Sequence, residues 1–381
     1  MTGEYKTLNA VQGFQNLSIL GGSNTVINDA YLTNGFASHI FFEQNGGSLT
    51  VMNVGGSYQL NIVNWNTNTP SNSLTISSAP STTTALTVNL IPTFFDSMPH
   101  NGLTEGILTT TSGTGMGTIT QVALESEYAT SANTINTYHG ADGQTVTIYG
   151  SNALTINSFT PNAKTGDTIN ASGFAQTLTL GSVGGTYAVA TGAGDTGKGD
   201  VITLGSGTSY LAVSSAVQGD LITLLASHTA ADTLDTTLIA SHIAGVGGQY
   251  ASAAAQKADI TQITNFHTNS DILKVGIGGA IAPQNGIASN LTGHAWTVTN
   301  GFVTKAGLTG ATGLTAFLAD VAASTTFAAN DVLAYNDGAN TYIAVGDLSN
   351  TVRGEHIVEL VGVHTVTALG SAGGASTIHL I

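Results

Sequence analysis

The chain has 381 residues with 7 Lys plus Arg against 22 Asp plus Glu, a net charge of −15, and only 8% of it is charged, where soluble proteins average roughly 25%. Such a balance excludes nucleic acid as a partner, because neutralising phosphates takes clustered Lys and Arg, and a hydrophobic content of 41% argues against disorder. Its 48 Gly follow no G-X-Y period and cysteine is absent, which excludes collagen, disulfides, thiolate nucleophiles and Cys-type metal sites.

At the N-terminus, Met1-Thr2-Gly3-Glu4-Tyr5-Lys6 shows no basic region followed by an apolar one, so no Sec-type signal is expected. Nor does any apolar run approach the roughly 18 residues of a membrane helix, and no membrane span is expected. From there the dominant unit is apolar-Thr-apolar, which puts two aliphatic side chains on one strand face and Thr on the other. It occurs at Leu49-Thr50-Val51, Leu74-Thr75-Ile76, Leu86-Thr87-Val88, Leu154-Thr155-Ile156, Leu178-Thr179-Leu180, Ile202-Thr203-Leu204 and Ile222-Thr223-Leu224. The last four begin at 154, 178, 202 and 222, spacings of 24, 24 and 20. Such a period marks stacked rungs that bury their apolar faces against one another. The fold class expected is therefore all-β, a parallel β-solenoid or β-roll over residues 1 to 245, with a β-sandwich of similar strand spacing as the competing fold. Residues 88–105, with Pro92, Phe94, Phe95, Met98, Pro99 and His100, lack alternation and read as a loop packed over an open edge. Gly248–Lys257 and Leu314–Ala323 are Ala-rich, and Leu314, Phe317, Leu318 and Val321 recur at helical spacing, which predicts a short helix. Strand patterning returns at Thr341–Val345 and His356–Val361.

Aspartates recur in one frame: a small or polar residue, Asp, any residue, an aliphatic. Asp167, Asp200, Asp220, Asp232 and Asp271 all stand in it, and Asp259 does so with its aliphatic, Ile260, one place early. Between them runs Thr191-Gly192-Ala193-Gly194-Asp195-Thr196-Gly197-Lys198-Gly199-Asp200-Val201-Ile202. This run resembles a degenerate copy of the RTX calcium repeat G-G-x-G-x-D-x-U-x, in which Gly corners turn carbonyls inward, Asp adds a carboxylate and an aliphatic begins the next strand. Oxygen ligands on flexible turns suit Ca²⁺. The candidate ligands are Gly192, Gly194, Asp195, Gly197, Gly199, Asp200, Gly219, Asp220, Asp232 and Asp235. The other reading of these aspartates is that they cap turns through hydrogen bonds to backbone amides.

The last 120 residues carry a further resemblance. Ala258-Asp259-Ile260-Thr261-Gln262-Ile263-Thr264-Asn265-Phe266 with Asp271-Ile272-Leu273-Lys274-Val275 is similar to the start of the C-terminal domain of type I-secreted RTX proteins. Asp331–Tyr335, Gly338–Val345 with Asp347, and His356–Val363 are similar to its ending, with His356 where that family has Asp. Upstream, Gly13-Phe14-Gln15-Asn16-Leu17-Ser18-Ile19 resembles a rung of the bacterial surface-layer proteins exported by such systems. The resemblance implies three parts: a solenoid-like region 1–190, a degenerate calcium-binding region 191–245, and a C-terminal β-rich domain 246–381 with one or two short helices that resembles the type I secretion target domain. It implies a structural cell-surface protein, secreted through its C-terminus by a type I apparatus and assembling with itself into a lattice in the presence of Ca²⁺. A surface polysaccharide is a further candidate partner. The alternative within the same resemblance is the C-terminal part of a large RTX adhesin. The first rung has no capping element before it, which implies a longer parent chain.

Enzyme readings find little in the residues. The ten His are dispersed, with none three or four positions from another, so the H-E-x-x-H zinc motif is absent, as are a G-x-S-x-G elbow and a G-x-x-x-x-G-K-[ST] loop. A solenoid carbohydrate enzyme is the remaining alternative, with Glu125 and Glu127 as paired carboxylates. Its acidic surface would repel polyuronates, and Arg353 is the only arginine. The chain is expected not to be an enzyme.

Overall fold

The computed structural model describes residues 16–20, 25–28, 39–43, 48–63, 73–79, 83–91, 102–111, 118–127, 129–141, 143–161, 167–183, 201–213, 220–236, 260–268, 270–275, 282–283, 295–323, 331–346, 356–363, 369–371 and 377–380. They fall into two compact units, Met1–Gly185 with Gly205–Thr208, and Thr186–Leu204 with Ser209–Ile381.

In the first unit the described strands come in consecutive pairs, one pair to a rung. They are β1 (Asn16–Leu20) and β2 (Thr25–Asn28), β3 (His39–Glu43) and β4 (Ser48–Val54), and β5 (Gly56–Val63) and β6 (Ser73–Ser78). Next come β7 (Thr83–Ile91) and β8 (Thr104–Thr111), β9 (Thr118–Ser126) and β10 (Asn133–Gly140), β11 (Thr145–Gly150) and β12 (Leu154–Pro161), and β13 (Thr168–Asn170) and β14 (Leu178–Val183). Odd strands form one parallel sheet and even strands the other. This is a β-solenoid, as the spacing of the aliphatic units requires. Leu49, Thr50 and Val51 stand beside Leu74, Thr75 and Ile76, and Leu154, Thr155 and Ile156 beside Leu178, Thr179 and Leu180. In each triplet the aliphatics are 0–1% exposed while the Thr between them is half-buried. Tyr138 stacks on Phe159 inside the coil, with centroids 4.7 Å apart. At the end of β11, Gly150 has a φ of 127°, and a Cβ there would lie 2.1 Å from the Ser126 carbonyl oxygen on the neighbouring rung. Only glycine fits that approach.

The second unit begins with three further rungs: β15 (Val201–Thr203) and β16 (Ser209–Val213), β17 (Leu221–Thr223) and β18 (Thr233–Asp235), and β19 (Thr261–Thr264) and β20 (Ile272–Lys274). Then follow β21 (Ala282–Pro283), β22 (Thr297–Thr299), β23 (Phe302–Thr304), helix α1 (Gly310–Ala323), β24 (Asp331–Asn336), β25 (Thr341–Val345), β26 (His356–Val361), β27 (Leu369–Ser371) and β28 (Thr377–Leu380). β26 pairs parallel to β19, and β25 and β24 continue that sheet antiparallel. On the other sheet β28 pairs antiparallel to β20 and β27 to β28. Asn300 and Gly301, both at positive φ, make the two-residue turn joining β22 to β23.

The expected helix is present. It starts four residues before the aliphatic pattern does, and Leu314, Phe317, Leu318 and Val321 are at most 2% exposed. They pack with Trp296, Leu333, Tyr335, Tyr342 and Ile357. Trp296 meets Phe317 and Tyr335 edge-on and donates its Nε1–H to Asp320 at 2.7 Å. With no acidic first turn and no basic last turn, the helix depends on this packing rather than on its dipole.

One expectation changes in detail. The series 154, 178, 202 and 222 reads as one strand per rung, but Leu154 and Leu178 lie on the second strand of their rungs, β12 and β14, while Ile202 and Ile222 lie on the first strand of theirs, β15 and β17. Both strands of a rung present the same inward alternation, so the pattern alone does not assign the sheet. Of the expected apolar loop, residues 88–91 belong to β7 and 104–105 to β8. Gly102 and Leu103 are buried just ahead of β8, and residues 92–101, like Gly248–Lys257, lie outside the described residues. Phe317→Ala is expected to cost about 3–5 kcal/mol in urea unfolding, while Ile107→Ala, at a side chain 40% exposed, should stay within about 0.5 kcal/mol.

Candidate metal centre at a solenoid corner

At five described corners the residue at or just before the start of a rung strand donates its N–H to a side-chain oxygen of the next rung, whereas other strand starts, such as Asn133 and Leu154, donate to a backbone carbonyl. Leu103 N–H donates to Asn133 Oδ1 (2.9 Å), Gln144 N–H to Asp167 Oδ1 (2.7 Å), Ser209 N–H to Asp232 Oδ1 (2.8 Å), Asp220 N–H to Thr261 Oγ1 (3.4 Å) and Asp232 N–H to Asp271 Oδ1 (3.1 Å). In four of these the rungs reciprocate through the backbone: Thr134 N–H donates to Leu103 O, Thr168 to Gln144 O, Gln262 to Asp220 O and Ile272 to Asp232 O, at 2.7–2.9 Å. Asn133, Asp167, Asp232, Thr261 and Asp271 are all at most 1% exposed. The Asp-x-aliphatic frame is thus the local signature of a buried cap. The aspartate faces in ahead of the strand, the next residue faces out, and the aliphatic enters the core.

One corner carries more. His228 and Asp232 precede β18, and His267 and Asp271 precede β20 on the adjacent rung. The imidazoles stack with centroids 4.2 Å apart and planes 10° from parallel. His228 Nε2 lies 3.0 and 3.1 Å from the two Asp271 oxygens and 3.8 Å from Asp232 Oδ2. Its Nδ1 lies 2.5 Å from the Leu225 carbonyl oxygen. Asp271 Oδ2 also accepts the His267 N–H at 2.7 Å. The ligand-capable atoms of His228, His267 and Asp271 lie within 4.8 Å of one another. Asp232 Oδ2 is buried and has no hydrogen-bond partner.

Burial alone would lower the His228 imidazole. Its bonds to the Leu225 carbonyl and Asp271 and the nearby charge of Asp232 outweigh this and hold it above its ordinary value. Burial raises the Asp232 carboxyl; the Ser209 amide works against that, Asp271 adds to it, and His228 opposes it, with a net upward displacement. Two buried carboxylates against one imidazole make this a corner that favours positive charge.

The expected calcium ligands fall differently. Gly192, Gly194, Asp195, Gly197, Gly199, Asp200 and Gly219 lie outside the described residues. Asp220 stands before β17, Asp232 before β18, and Asp235 at the end of β18, where it accepts the Tyr210 hydroxyl at 2.7 Å and faces Lys274 Nζ at 3.5 Å. Asp232 Oδ1 accepts the Ser209 amide. Of the three expected ligands among the described residues, Asp232 stands in the His228 corner.

Reading the His as dispersed missed that corner, because His228 and His267 are 39 residues apart. A repeat was present all the same: His228-Thr229-Ala230-Ala231-Asp232-Thr233-Leu234 matches His267-Thr268-Asn269-Ser270-Asp271-Ile272-Leu273 in the frame H-T-x-x-D-x-L. Comparison with family models, curated proteins and solved structures finds no match to this chain.

Glu125 and Glu127 lie at the end of β9 and just beyond it. Glu127 accepts the Ser151 N–H at 3.1 Å and the Ser151 hydroxyl at 2.5 Å. Partial burial, then the charge of Glu127, push the Glu125 carboxyl above its ordinary value against the opposing bond from Tyr149. A carboxyl raised in the folded state favours folding below its unfolded value and loses that contribution as pH rises through its folded value. Glu125→Gln should therefore raise the urea midpoint at pH 7, and the gain should vanish below about pH 4. Truncating a cap is a separate test. Asn133→Ala leaves the buried Leu103 N–H without an acceptor and should lower stability by about 1–3 kcal/mol in the same assay.

Proposed function

We propose that this chain is a structural protein of the cell exterior, a surface-layer-type subunit that associates with copies of itself in the presence of calcium. The observation that carries this reading is the periodic outer face of the rungs. In the first unit Thr50, Thr75 and Thr109 stand side by side on successive strands, and in the second Thr203, Thr223 and Thr264 do the same. Beside the latter row, Val201 and Leu221 are register partners and are 39% and 41% exposed. Rows that repeat at the strand spacing of about 4.8 Å offer a copy many equivalent contacts with little charge to desolvate. No described helix is long and apolar enough to cross a membrane.

Calcium enters through the resemblance of the 192–200 segment to the RTX repeat, whose Gly carbonyls and Asp195 and Asp200 carboxylates would hold the ion. Each bound ion offsets two charges of a chain at −15 and so relieves repulsion within and between copies. The same resemblance supports secretion through the C-terminus by a type I apparatus.

The test is electron microscopy of the purified chain with and without millimolar calcium, alongside thermal unfolding. Ordered sheets in calcium that disperse on chelation, with a fall in melting temperature, are the expected result. Separate particles and an unchanged melting temperature in both conditions would contradict the reading.

A further inference from the structure

We propose that the corner formed by His228, His267, Asp271 and Asp232 is a site for a divalent transition-metal ion of the zinc class, which pins two successive rungs of the second unit together.

Three observations meet there. The first is the donor set itself. His228, His267 and Asp271 present ligand atoms within 4.8 Å of one another, and they come from two rungs rather than from one local turn. The second is independent of it. Asp232 is 0% exposed, its Oδ2 has no hydrogen-bond partner, and that atom lies 3.8 Å from His228 Nε2. A buried carboxylate oxygen left in this state costs stability unless a cation meets it. The third is the orientation of His228. Its Nδ1 points at the Leu225 carbonyl oxygen at 2.5 Å, which turns Nε2 toward the carboxylates, where a metal would take the place of the Nε2 proton. A ring N–H donated to a carbonyl while the opposite nitrogen binds is the usual outer arrangement of a metal-bound imidazole.

The spacings suit a shared ion. Two donors about 2.0–2.2 Å from one metal, at angles between square and tetrahedral, lie about 3.0–3.5 Å from each other. His228 Nε2 and the two Asp271 oxygens are already 3.0 and 3.1 Å apart. His267 is half-buried, its ring stacks on His228, and one of its ring nitrogens lies within 4.8 Å of the donor atoms of His228 and Asp271. Two imidazoles with two carboxylates favour zinc, cobalt or nickel, whereas calcium takes six to eight oxygens. With nothing but a proton at His228, the corner holds one positive charge against two carboxylates; a divalent ion balances both. This assignment uses none of the residues 192–200 through which calcium was argued above.

The experiment uses the full chain, stripped with chelator and dialysed, with Co²⁺ as a spectroscopic probe and Zn²⁺ in competition. Wild type should take up one equivalent of Co²⁺ with visible d–d bands, be displaced by Zn²⁺, keep its bands in excess Ca²⁺, and melt at a higher temperature when loaded. His267→Ala, which leaves every cap described above intact, should weaken uptake by at least about tenfold with an unchanged circular dichroism spectrum. Asp232→Asn, which keeps an oxygen for the Ser209 amide, should weaken it as well. No uptake by folded wild type, uptake unaltered in His267→Ala, or bands abolished by Ca²⁺ would each overturn the assignment. Loss of calcium-dependent sheets with cobalt binding intact would count against the surface-layer reading alone.

Discussion

The stack depends on how each rung answers the first amide of the rung before it. A parallel coil must turn at every corner, and at five described corners the leading amide meets a side-chain oxygen of the next rung in place of a carbonyl. A buried N–H without an acceptor there would cost about 1–3 kcal/mol. The chain meets it with a buried oxygen from Asn133, Asp167, Asp232, Thr261 or Asp271, and in four cases the next amide returns the bond to the backbone carbonyl. The carboxylates among them are stabilised by the same charge-assisted bonds that satisfy the amides. Because each cap joins one defined residue to another, it also holds the register. A slip of one residue would turn Leu154, Ile156, Leu178 and Leu180 outward and their threonines in.

Coiling cannot continue indefinitely, since the last rung would present two open strand edges. In the second unit β26 and β28 take those edges, and the sheets continue as antiparallel hairpins. Antiparallel strands need only short turns, so the Asp337–Asn340 turn can be braced locally. Asp337 accepts the amides of Ala339 and Asn340, and the Tyr342 hydroxyl and Asn340 Nδ2 both donate to Glu359 Oε1 at 2.7 Å. Glu359 is 2% exposed, and burial of the phenol, with its bond to Glu359 and that carboxylate's charge, pushes the Tyr342 hydroxyl well above its ordinary value against the opposing bond of Asn340. The helix closes over Trp296 and Tyr335 on apolar contact.

Much of this architecture could be read from residue order. The apolar-Thr-apolar unit identified the rungs because strand periodicity is local. Its partners at 154 and 178, and at 202 and 222, are neighbours in space. The sheet to which each belongs was not legible, since both strands of a rung bury the same alternation. The aspartate frame found the corners, as Asp167, Asp220, Asp232 and Asp271 all stand directly before strands. It could not separate an amide cap from an ion ligand, because both ask for a carboxylate at the same turn. The His228 and His267 pair escaped because residues 229–266 intervene; only alignment of one rung on the next superposes the two H-T-x-x-D-x-L frames.

The cap reaches one rung and no further, and that has a consequence for how such a chain can change. At the five described caps a coil brings its own oxygen to the coil before it, and Asp232 both caps one coil and offers its amide to the next, so these joints share one form. A segment of one period, 20 or 24 residues in the series read here, can be gained or lost by duplication or deletion while every remaining joint keeps its two halves. Length is then a variable that inheritance can adjust without redesigning the interior.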